Sequence, residues 1–121
     1  MMIRLLKTIK ADEIEEGNNI DFSSFDIASI VYRMPNEYFY FDLTHPLDIF
    51  RNLIAWMYKI YKDEDMRNSL YVVDDSRLIF DKHEKLSHFR KLLLAASALY
   101  EGASKENNNR TVITEKHLSD D

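Results

Sequence analysis

Two stretches of this chain follow one plan, thirty-nine residues apart. Phe41–Tyr61 reads F-D-L-T-H-P-L-D-I-F-R-N-L-I-A-W-M-Y-K-I-Y, and Phe80–Tyr100 reads F-D-K-H-E-K-L-S-H-F-R-K-L-L-L-A-A-S-A-L-Y. Laying Tyr32–Tyr61 on Tyr71–Tyr100 without a gap matches 8 of 30 positions. The matches fall where they carry structural meaning. Phe-Asp closes a strand, and Leu, Phe and Leu then recur every third residue along one helical edge. Repeated units matter physically when neither copy can bury its apolar face alone. The same pattern also arises when two ordinary strand–helix units converge.

The segments before each helix read as hairpins. Ile27–Met34 is rich in β-branched and aromatic residues, Pro35-Asn36 makes a turn, and Glu37–Leu43 alternates. Leu70–Val73 pairs with Arg77–Phe80 around Asp74-Asp75-Ser76. Thr44, or else Asp42, caps the first helix. Asp81 and Glu84 form a capping-box variant that starts the second helix at Lys82. Gly17 and Gly102, the 2 glycines of the chain, read as helix stops. Met1–Lys10 fits strand and helix templates alike, and Ala11–Glu16 suits a short helix.

These elements predict an α+β domain over residues 1–102: an antiparallel sheet with two helices packed on one face, in a ββα-ββα order suggestive of tandem duplication. Residues 103–121, polar and aperiodic at their start, read as a flexible C-terminal tail.

Composition narrows the function. At 121 residues with a 45% apolar fraction the chain can bury a real core. It has no cysteine, so disulfide frameworks and thiolate zinc sites are excluded. No apolar run reaches the length of a membrane span. The net charge of −5 opposes bulk affinity for nucleic acid.

Catalytic and metal signatures are missing. His83-Glu84-Lys85-Leu86-Ser87-His88 carries one residue too many for an HExxH site, so its histidines point to different sides of a helix. Asp74, Asp75 and Asp81 lack the spacing and glycine of a calcium loop. Ser23 and Ser24 have no nucleophile elbow, and two isolated glycines cannot build a phosphate-cradling loop. No cofactor is implied.

By elimination the sequence reads as a small, cytoplasmic, non-enzymatic protein acting through protein–protein contact, of the inhibitor, immunity-protein, antitoxin or adaptor type. Its partner surface would use Tyr38, Tyr40, Ile49 and Trp56. The wide apolar arc around Ile49 and Trp56 would also support a symmetric homodimer. The alternative is a nucleic-acid-binding regulator, with Arg77, Lys82, Lys85, Arg90 and Lys91 on phosphates. Tyr32, Tyr58 and Tyr71 add to an aromatic surplus beyond what two buried helical stripes require.

Overall fold

The N-terminal ambiguity resolves as helix. In the computed structural model, which describes residues 2–39, 47–103 and 118, α1 runs from Met2 to Glu15 and buries Leu6 and Ile9. Its end is set by Gly17, whose φ of 97° lies in the left-handed region. Gly17 N–H donates to Ile14 O at 3.0 Å and Asn18 N–H to Glu13 O at 2.8 Å. That pair is a Schellman stop, so Gly17 holds the helix-terminating position expected of it.

The first expected strand is a helix. Residues Ser24–Tyr32 form α2, with Ser23 as N-cap accepting from the Asp26 N–H. Ile27, Ile30, Val31 and Met34 recur at helical spacing and are all buried. Burial on that face outweighs the β preference of branched side chains. A 3₁₀ turn, Asn36–Phe39, stands where the second strand was expected to begin. Residues 40–46, including Tyr40, Phe41, Asp42 and Thr44, lie outside the described residues.

α3 spans Asp48–Lys62 with Asp48 in its first turn and Lys59 and Lys62 in its last, each sign matched to the helix dipole. Arg67, from the short α4 (Glu64–Arg67), donates to Ile60 O at 3.1 Å and Tyr61 O at 2.7 Å. Those carbonyls would otherwise lack partners at the helix end.

The second expected hairpin shrinks to one antiparallel bridge, Tyr71 with Leu78. Two bonds flank it, Val72 N–H to Arg77 O at 3.0 Å and Ile79 N–H to Leu70 O at 2.9 Å. Asp75, with φ at 62°, turns the chain between them. α5 runs from Lys85 to Ala103, three residues later than the capping pattern implied, because the Asp81 carboxylate binds side chains instead. Gly102 therefore lies inside the last turn of α5 rather than beyond it.

The antiparallel α+β sheet and the ββα-ββα duplication are thus corrected. The fold is helical, with no strand longer than a bridge among the described residues, and α3 is preceded by a helix and a 3₁₀ turn instead of a hairpin. α3 packs along α5, while α1 lies against both α2 and α5. Phe22 enters from the α1–α2 loop, its ring 5.7 Å from Phe80 and 5.6 Å from Phe89. Leu118, from the segment read as a tail, is buried in the same core.

Candidate functional site

α2 and the Leu70–Ile79 turn are strapped side by side, and several ion pairs gather at their join. Ser29, buried in α2, accepts from the Val73 N–H at 3.1 Å. Arg33, at the end of α2, donates to Tyr71 O at 2.9 Å, Val72 O at 3.0 Å and Asp75 Oδ1 at 2.6 Å. Three bonds fix its guanidinium, which stands 5.1 Å from the centroid of the Tyr32 ring.

At the other end of α2 the Asp26 carboxylate is 2% exposed and is held by two cations. Arg77 Nη2 lies 2.8 Å from Oδ1, and Lys85 Nζ lies 3.0 Å from Oδ2. Lys85 also reaches Asp81 at 2.7 Å and donates to Ile79 O at 3.0 Å. The Lys85 hydrogen bond holds the Asp81 carboxyl below its ordinary 3.8, against a smaller opposing effect of burial. Two carboxylates and two cations make a neutral quartet, the state in which a buried charge is tolerable. Arg77 continues outward, its guanidinium 6.0 Å from the centroid of the Phe25 ring.

A cleft of about 290 Å³ opens over the quartet, with Ser23, Lys82 and Glu84 on its rim. Along α2 and the adjoining turn Phe25, Tyr32 and Tyr71 are 44%, 62% and 46% exposed, unusually open for rings of that size. Phe25 and Tyr32 are seven residues apart on α2 and therefore share a face. The result is an aromatic ridge whose neighbouring arginines are already neutralised by Asp26 and Asp75.

The expected partner residues do not assemble into an open surface. Trp56 is 2% exposed, donates its indole N–H to Ile30 O at 2.9 Å, and lies 5.6 Å from the Tyr38 ring. Ile49 is partly buried against the core, and Tyr40 lies outside the described residues. α2 and the 3₁₀ turn cover the arc that was to serve a homodimer.

The basic set divides by task. Arg77 and Lys85 belong to the quartet. Lys91 donates to Asn19 O at 3.0 Å, holding the α1–α2 loop, and Arg90 is half-buried. Lys82 stays exposed at the cleft. Asp26, Arg33 and Phe25 were missed by sequence reasoning. Ser23 followed three residues later by Asp26 was an available signal, since it marks a helix start and so rules out a strand there. Among the described residues no group of three or more His, Asp or Glu side chains is placed to hold a metal ion.

Comparison with known proteins assigns this architecture. Residues 1–101 match the cGAS/DncV-like nucleotidyltransferase C-terminal helical domain, and the chain belongs to that family. A cyclic dinucleotide synthase CdnE from Yersinia aleksiciae is 37% identical over 98 residues, covering 76% of this chain and 24% of that protein. The structure of a STING-associated CdnE c-di-GMP synthase from Capnocytophaga granulosa superposes with a TM-score of 0.75 at 28% identity, over 88% of this chain and 34% of that one. The chain therefore spans about a quarter to a third of the length of these relatives.

Family membership corrects the functional expectation. The inhibitor, immunity-protein, antitoxin or adaptor reading, its nucleic-acid alternative, and the non-enzyme assignment all give way to a nucleotidyltransferase family. The expected protein partner and homodimer fall with them, because the similar structure is that of a synthase of a small cyclic dinucleotide. No helix among the described residues is long and apolar enough to cross a membrane.

Proposed function

We propose that this chain acts as the C-terminal helical lobe of a cyclic-dinucleotide synthase, with phosphoryl transfer carried out by residues outside it. The observation that carries this reading is the family match over residues 1–101, supported by a relative and a similar structure that are both synthases. A cytoplasmic location suits an enzyme fed by nucleoside triphosphates.

Within that role the aromatic ridge and its cleft are the parts suited to nucleotides. Tyr32 and Tyr71 offer exposed π faces on which a base can stack, an interaction worth about 1–3 kcal/mol per base. Lys82 offers a cation at the rim of the cleft, while Arg77 and Lys85 are committed to Asp26. The ridge therefore favours a flat, weakly charged group over a long polyanion.

A nucleotide titration of the chain tests this. ATP, GTP and c-di-GMP should shift the Tyr32 and Tyr71 ring resonances, and Tyr32→Ala should weaken binding roughly tenfold. Ring shifts that ribose 5-phosphate reproduces in full, or a nucleotide affinity unchanged in the Tyr32→Ala, Tyr71→Ala double variant, would remove the ridge from the proposal.

A further inference from the structure

The loop between α1 and α2 is held by three side chains that grip its backbone. Lys10 of α1 donates to Phe22 O at 2.8 Å, and Lys91 of α5 donates to Asn19 O at 3.0 Å. The third contact differs in kind, since the Asp21 N–H donates to Nδ1 of His88 at 2.9 Å. A ring nitrogen accepts a hydrogen bond only when it carries no proton, so this contact requires neutral His88 with its hydrogen on Nε2.

The contact matters because of what the loop carries. Ile20 and Phe22 are 1% and 0% exposed, and Phe22 sits against Phe80 and Phe89. The next residue, Ser23, caps α2, and three residues further Asp26 anchors the ion-pair quartet. Holding Asp21 therefore sets where α2 begins relative to α5.

From these contacts we propose that His88 is a pH-sensitive catch on the α1–α2 loop, closed when the imidazole is neutral and released when it is protonated. The sign follows from the bond. It holds the loop closed only while Nδ1 is unprotonated, and is lost once acid protonates the ring. Protonation turns the acceptor into a second donor facing the Asp21 N–H. The charged groups around the ring divide by sign. Asp21 on the loop and Glu84, the residue just before α5, attract an imidazolium. Lys85 and Lys91, three residues to either side on α5, and Lys10 from α1 oppose it. Any pairing of the imidazolium with the Asp21 carboxylate still requires the loop to shift, because the backbone N–H must leave the ring. The catch is a property of this chain alone and does not depend on the proposed synthase role.

Amide hydrogen exchange of the chain, referenced to the intrinsic rate at each pH, tests the catch directly. Protection of the Asp21 amide should fall roughly fivefold to tenfold from pH 8 to pH 5, about the worth of one hydrogen bond. Core amides such as Leu53 and Leu93 should keep theirs. In His88→Asn the amide oxygen takes the place of Nδ1 and has no proton to gain. Protection should then be the same at both pH values. In His88→Ala it should be low throughout. An unchanged Asp21 protection factor in the wild-type chain, or an equal fall in His88→Asn, would overturn the proposal. The wild-type arm decides the matter even if a variant fails to fold.

Discussion

The indole N–H of Trp56 donates to the carbonyl oxygen of Ile30 at 2.9 Å, joining the middle of α3 to the last turn of α2. Ile30 O is a helix-end carbonyl. Its neighbours in the final turn are satisfied locally, with Ser29 O accepting from Arg33 N–H and Val31 O from Met34 N–H. Trp56 thus completes the capping of a helix that it also packs against.

Replacing Trp56 by Phe keeps most of the apolar volume but strands that carbonyl in the core. The expected cost is about 1–3 kcal/mol of unfolding free energy, read from urea titration. Trp56→Ala should cost about 3–5 kcal/mol, because a cavity is added. Equal stability of the Phe variant and the wild type would mean that the indole bond contributes nothing.

The ion-pair quartet yields a sharper contrast. Asp26→Asn leaves Arg77 and Lys85 facing a neutral group, and should destabilise the chain by about 3 kcal/mol. Arg77→Ala, whose partner Asp26 keeps Lys85, should cost less. The order of the two midpoints in a denaturant series is the check, and a reversed order would contradict the assigned geometry.

Acid should act through Asp81 as well. Its carboxyl titrates below 3.8 in the folded chain, mainly because of the hydrogen bond from Lys85. The folded state therefore favours the charged form, so the contribution is present above that value and is lost as pH falls through the lower, folded one. Asp81→Asn should flatten the acid limb of a stability–pH curve below about pH 4 while leaving the curve near neutrality in place.

Much of this was readable in advance, for identifiable reasons. α3 and α5 show their apolar stripes directly, with Leu53, Met57 and Ile60 buried on one and Phe89, Leu92, Leu93 and Ala96 on the other. Gly17 announced the end of α1. α2 was misread because Ile27, Ile30 and Val31 favour strands by composition, while their spacing of three and four favoured a helix. Spacing decides, because burial of that face outweighs the β preference of branched side chains. The site was less legible. Arg77 and Lys85 stood out as cations, but their task depends on Asp26, 51 residues before Arg77 in sequence. No local pattern encodes such a pairing. Trp56 looked like an exposed anchor because the element that covers it was assigned to a sheet.

The C-terminal segment makes a separate prediction. Leu118 is 3% exposed within the core cluster. Leu118→Ala should cost about 2–5 kcal/mol, and truncation after Ala103 should cost at least as much. Thermal melts of the two variants are the measurement, and an unchanged midpoint in both would show that Leu118 contributes no packing.

The central claim is that this chain is the helical lobe of a cyclic-dinucleotide synthase, and a domain exchange tests it most directly. Residues 1–101 would replace the matching helical domain of the Yersinia aleksiciae synthase, and cyclic dinucleotide formed from nucleoside triphosphates would be measured. The account predicts product from the exchanged protein. An exchanged protein that melts cooperatively yet makes no product, alongside an active parent, would contradict it.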